Sequence, residues 1–99
     1  MIKKIREDII KLTTFVSGVT GLAPADLTKR AVMLSEQRWG ESLDIQESPK
    51  GEIISISIII DADVRAKAVA TEIVSQIKNV LQKNKIRIND INVYMRGIK

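Results

Sequence analysis

Three features of this chain have residue types and spacings that could do chemistry. The first is a G-x-x-G, Gly18-Val19-Thr20-Gly21. In KH-type modules that spacing forms a loop between two helices and clamps a nucleic-acid backbone. The second is a pair of acids, Asp61 and Asp63, where an aliphatic strand meets a helix; two carboxylates there could hold a cation or move a proton. The third is positive charge. The formal net charge is +4, and between residues 75 and 99 Lys78, Lys83, Lys85, Arg87, Arg96 and Lys99 face only one acid, Asp90. Such an excess can draw in nucleic acid, anionic lipid or an acidic protein.

Each feature also has a plainer explanation. A backbone clamp carries cations beside its glycines to neutralise phosphates, and GVTG has only Val and Thr between them, with Lys11 and Lys29 the nearest cations. The glycines suit the end of a helix equally well. Asp61 and Asp63 suit the cap and first turn of a helix, with no third acid at EF-hand spacing and no His to complete a metal site. Lys78, Lys83 and Lys85 fall near a helix C-terminus, where cations complement the dipole.

The missing residues narrow the chemistry further. The chain has neither Cys nor His, so thiolate nucleophiles, disulfides, zinc-thiolate sites and imidazole bases are excluded. No phosphate-binding glycine loop is present, and Ser17, Ser35, Ser55 and Ser57 lie in no nucleophile-elbow pattern. Phe15, Trp39 and Tyr94 are the only aromatic residues, too few for a base-stacking platform. No enzymatic activity and no cofactor or metal are expected. The apolar runs are far shorter than the roughly 20 residues of a spanning helix, and the N-terminal segment does not read as a signal peptide. A cytoplasmic protein is expected, with no direct membrane span.

Positioning these residues needs one small domain over 1–99, since 99 residues support a single core. Ile2, Ile5, Ile9, Leu12, Val16 and Val19 recur at steps of three and four, which predicts a helix stopped by Gly18 and Gly21. Residues 22–41 are ambiguous. Leu27, Ala31, Leu34 and Arg38 permit one short helix, broken by Gly40, and Trp39 either anchors the segment to the core or forms an exposed contact. Strands flank the turn Ser48-Pro49-Lys50-Gly51. In the second strand, Ile54, Ile56, Ile58 and Ile60 share a face that must be core. Asp61-Ala62-Asp63 then opens a helix of roughly 20 residues carrying Val69, Ile73, Ile77 and Val80, with Asn84 as its stop. Two alternating sets, Ile86 and Ile88, then Ile91, Val93 and Met95, predict a last strand with a bulge at Asn89-Asp90. The expected fold is α+β: a two-layer sandwich ordered helix, short helix or irregular segment, strand, strand, helix, strand. Both main helices cover one face of a small mixed sheet, with a crossover long enough for parallel pairing.

The segments FVSGVTGL, the Ile-rich strand, DADVRAKAVATEIVSQIKNVL and INDINVYMRGI follow one another in an order that resembles the alkaline shock protein family, also called the envelope stress response family, of mainly Gram-positive bacteria. The matching residues are Val16, Gly18, Val19 and Leu22, then Val64, Val69, Ala70, Ile73, Ile77 and Val80, then Ile88, Ile91, Asn92, Val93, Met95, Gly97 and Ile98. Where many members have a T-G-l before the final strand, this chain has Lys83-Asn84-Lys85. The resemblance implies a small non-enzymatic protein, in some members recruited to the inner face of the membrane by a membrane-anchored partner. It implies no catalytic residue.

Two functions follow as expectations. One is a protein-binding or scaffold module, with self-association into a homo-oligomer, presenting Arg65, Lys67, Glu72 and Gln76 on the second helix together with Tyr94 and Arg96 on the last strand. The alternative is a KH-like RNA-binding module using Gly18 and Gly21 with Lys29, Arg30, Lys83, Lys85 and Arg87.

Overall fold

A computed structural model describes residues 2–99. The elements are α1 (Ile2–Phe15), β1 (Val19–Leu22), a 3-10 helix η1 (Glu36–Ser42), β2 (Leu43–Ser48), β3 (Gly51–Ile60), α2 (Ala66–Lys83) and β4 (Ile88–Ile98). The expected α+β sandwich is present, with both long helices on one face of a mixed sheet.

β3 is the organising strand. β4 pairs with it in parallel from Glu52 to Ile60 and takes one whole edge. The other edge is shared by two antiparallel partners, β2 along residues 51–56 and β1 along 58–60. The even residues Ile54, Ile56, Ile58 and Ile60 are at most 4% exposed and pack against Ile5 and Ile9 of α1 and Val69, Ile73, Ile77 and Leu81 of α2. Fully burying one such side chain is worth about 1.5–3 kcal/mol, so this row and the two helical stripes dominate the cohesion of the domain. The predicted bulge in the last strand occurs at Asn89, and a second interrupts β4 at Arg96.

The first helix is shorter than its apolar stripe. It ends at Phe15, where two β-branched residues precede the exit and Thr13 Oγ1 and Thr14 Oγ1 bond back to the carbonyls of Ile9 and Lys11. Gly18 then turns the chain at φ +97, a conformation open to glycine at little cost. Val19 is therefore not on the helix but begins β1, a strand whose four residues lack a readable alternation. Ile2, counted with the core stripe, is 54% exposed.

Residues 22–41 contain no α-helix. The chain leaves the sheet at Leu22 and returns to the same rung, where the Leu34 amide donates to the Leu22 carbonyl at 2.8 Å and the Ala23 amide to the Ser57 carbonyl at 3.1 Å. The Arg96 guanidinium fills the mouth of this loop, donating to the carbonyls of Pro24 and Lys29 at 2.6 Å each and to that of Asp26 at 3.4 Å. Gly40, expected to break a helix, lies inside η1.

α2 begins later than its acids suggested. Its N-cap is Arg65, with no side-chain cap, while Asp61 Oδ1 accepts from the Asp63 amide in a preceding turn. Its C-terminus does stop at Asn84. Beyond it, the Ile86 amide donates to the Leu81 carbonyl and the Lys85 amide to the Gln82 carbonyl, with Lys85 at φ 56. These are the bonds of a Schellman motif with lysine in the left-handed position usually held by glycine.

Two outcomes follow from these contacts. Lys85→Gly should raise stability by about 0.5–1 kcal/mol, because the left-handed strain of a Cβ exceeds the extra entropy that glycine loses on folding; urea unfolding measures it. Arg96→Ala should cost roughly 1–3 kcal/mol through the lost charge-assisted bonds. The loop amides 25–33 should then exchange hydrogen faster while the amides of β3 keep their protection.

Candidate functional site

The glycines of GVTG face the protein. A Cβ added at Gly18 would lie 2.9 Å from Val69 Cγ2 and 3.1 Å from Val64 Cγ1; one at Gly21 would lie 2.9 Å from Met33 Cε. The Gly18 carbonyl accepts from the Asp61 amide. These glycines give close approach to α2 and to the returning loop, not a cradle for a phosphate chain.

The cations paired with them in the RNA-binding alternative are not gathered around them. The Arg87 carbonyl bonds the Glu52 amide at one end of β3, whereas Gly18 meets Asp61 just past the other end. The intervening strand spans about 30 Å at the usual rise per residue. Lys83 and Lys85 lie at the Arg87 end, after α2. Lys29 and Arg30 belong to the loop tied to Arg96.

The acids are similarly occupied with local structure. Asp61 and Asp63 are exposed, and among the described residues no three of Asp, Glu, His and Cys gather as a metal-binding group. Asp26 is held below the usual carboxylate range, first by the Thr28 hydroxyl and then by the Thr28 amide. Glu41 is lowered by its hydrogen bonds from Arg38, at 2.7 and 3.0 Å. Both shifts keep the acids ionised, whereas general acid catalysis near neutral pH needs a raised pKa.

The six residues proposed as a protein-contact surface divide between two faces. Arg65 and Glu72 border the cleft between α2 and the exit of α1, beside Val16 and Ser17. The Gln76 amide donates to Glu72 Oε1 at 2.7 Å, and Lys67 projects from another side of the helix. Tyr94 lies on the sheet face away from the helices, near Asp44, Ser55 and the loop residues Ala25, Asp26 and Lys29. Arg96 is committed to that loop. The alternation of β4 requires this separation: Ile91, Val93 and Met95 pack toward the helical core, so Tyr94 must face away.

A different apolar surface is more continuous. α1 and η1 diverge around a groove of about 900 Å³ lined by Ile2, Ile10, Phe15 and Trp39, with Lys3, Lys11, Glu7 and Glu36 among the charges around it. Arg6 holds the two walls in place, its Nη2 donating to the carbonyls of Gly40 at 3.0 Å and Leu43 at 2.8 Å. Trp39 is half-buried, packing against the core while it lines the groove. Phe15 is 79% exposed. In the sequence the available signal was Ile10 and Phe15, two large apolar residues outside the main stripe of α1.

No family model and no curated protein matches the chain. Among solved structures, the fold is similar to C-terminal domains of MamM. The copper form of a variant of that domain aligns with TM-score 0.55 at 16% identity over 98% of both chains. A segment of the same domain, MamM 215–293, gives 0.55 at 16% identity, covering 98% of this chain and 99% of that one. A tryptophan-to-alanine variant gives 0.56 at 14% identity, covering 98% and 81%. At these identities the likeness establishes the fold: a small α+β domain in which no described helix is long and apolar enough to cross a membrane.

Proposed function

We propose that this chain is a non-enzymatic protein-binding module of the alkaline shock or envelope stress response type, and that the groove between α1 and η1 receives apolar anchor side chains of its partner. The observation that carries the proposal is Phe15, 79% exposed at the lip of a groove that also presents Ile2, Ile10 and Trp39 among charged side chains. A large aromatic left in water beside other apolar side chains is a common mark of an interaction surface. The order of sequence segments supports the family assignment, and the absence of His and Cys supports binding over catalysis. In this account, association with the inner face of a membrane comes through a membrane-anchored partner, as the family resemblance implies.

The RNA-binding alternative draws no support from the glycine segment, whose glycines face inward against Val64, Val69 and Met33. Its remaining basis is the cationic end formed by Lys83, Lys85 and Arg87.

Phe15→Asp is the direct test. The side chain is so exposed that the unfolding midpoint should stay within the range of an ordinary surface change, about 0.5 kcal/mol. Proteins retained from a lysate by the wild-type chain should be lost with the variant, and membrane fractions should no longer hold it. Equal recovery by both chains would remove the groove from the proposal. RNA binding that weakens steeply between low and high salt would favour the alternative instead.

A further inference from the structure

β4 has one partner and one open edge. Its inner side is filled by β3, and among the described strands nothing pairs with its outer side. The ladder determines which groups point outward. At one end the Glu52 amide donates to the Arg87 carbonyl; at the other the Lys99 amide donates to the Ile60 carbonyl. In a parallel pair with partners Ile54–Ile91, Ile56–Val93 and Ile58–Met95, the even residues of β3 therefore bond to Asn92 and Tyr94. The amides and carbonyls of Ile91, Val93 and Met95 face the open side. In agreement, the Ile91 amide donates to no strand but to Asp90 Oδ1, at 2.9 Å.

Open edges are usually blunted by lysine, proline, bulges or a covering segment. Here bulges at Asn89 and Arg96 bound the edge. The stretch between them that faces outward, Ile91-Asn92-Val93-Tyr94-Met95, carries no charge and no proline. An acid, Asp90, stands just before this stretch, and a base, Arg96, just after it. Antiparallel pairing of such a segment with itself sets Asp90 opposite Arg96 at both ends, where the arginine keeps its full charge because its loop partners are neutral carbonyls.

We propose that the open edge of β4 pairs antiparallel with β4 of a second copy of this chain, centred on Val93. Ile91 of one copy then lies opposite Met95 of the second copy, Val93 opposite its equivalent, and Asn92 opposite Tyr94. Every residue with outward groups meets another, so once the Ile91 amide exchanges Asp90 Oδ1 for the Met95 carbonyl of the second copy, the pairs at 91–95, 93–93 and 95–91 each exchange both N–H···O bonds. On the helical face the half-buried row of Ile91, Val93 and Met95 continues across the two-fold axis, beside Val74 on the flank of α2. A shift of two residues either way draws Asn89 or Gly97 into the ladder and separates Asp90 from Arg96. This interface does not use the α1–η1 groove, so it can fail while the proposed function stands, and the reverse.

The edge is short, so the dimer is expected to be weak and is sought at roughly 100 μM protein. Sedimentation equilibrium of the full chain should show monomer and dimer, with the dimer fraction rising with concentration. Register is read with cysteine, which the wild-type chain lacks. In the proposed dimer, residues 92 and 94 of opposite copies form non-hydrogen-bonded pairs with Cα atoms about 4.5 Å apart, within disulfide reach. Asn92→Cys mixed with Tyr94→Cys should therefore yield a disulfide-linked dimer on mild oxidation. Either variant alone should link at least tenfold less, since like positions lie about 8 Å apart on the diagonal. Both variants must retain the wild-type far-UV spectrum. A chain that stays monomeric throughout, or a dimer whose mixture links no better than the single variants, would overturn the proposal.

Discussion

The fold depends on β3 being enclosed along both edges and on its helical face. Its helix-facing residues Ile54, Ile56, Ile58 and Ile60 are almost fully buried, one edge is closed by β4, and the other is divided between β2 and β1. A strand in that position must be aliphatic, because each polar substitution facing the helices would bury an unpaired group. Around such a strand the rest of the chain has limited freedom. The hairpin supplies β2, the helical crossover supplies β4 in parallel, and the helices cover the apolar row. What remains of the second edge is taken by β1, immediately after Gly18 turns the chain out of α1.

That enclosure explains which parts of the sequence were legible. Apolar periodicity reveals elements that bury a full face, so α1, α2, β3 and the bulged β4 were all readable from the spacing of Ile, Leu and Val. β1 was not, because four residues with one glycine have too little pattern to separate them from a helix end. The 22–41 segment is ambiguous in the sequence for another reason. Its order comes from partners distant in sequence, above all the Arg96 guanidinium, which lies 72 residues from Pro24 and meets its carbonyl. No local propensity encodes such a contact. Asp61 and Asp63 occupy the right junction but serve a turn before the helix, since α2 begins three residues beyond Asp63.

The candidate surfaces were harder to read than the core for a related reason. Arg65, Glu72, Tyr94 and Arg96 all looked available because each is polar or amphipathic, yet availability depends on which layer a residue faces and what crosses above it. The loop between Leu22 and Leu34 consumes Arg96, and the sheet itself separates Tyr94 from α2. Conversely, Phe15 stays out of the core because it lies off the apolar stripe of α1, on the flank that borders the groove beside η1. The similarity to MamM C-terminal domains extends over nearly the whole chain at 16% identity, as expected where layer order rather than individual side chains is shared.

The excursion from Leu22 to Leu34 has a consequence for how the domain can diversify. Its two ends are joined by a backbone bond on a single rung, so the sheet does not register how many residues lie between them. Closing a longer loop there adds free energy only as the logarithm of its length. The segment therefore behaves as an exchangeable cassette, in which insertions can create new surface over the outer sheet face without disturbing the enclosed strand beneath. The constraint inherited by any replacement is to offer carbonyl groups to Arg96, or to leave that position free to change with it.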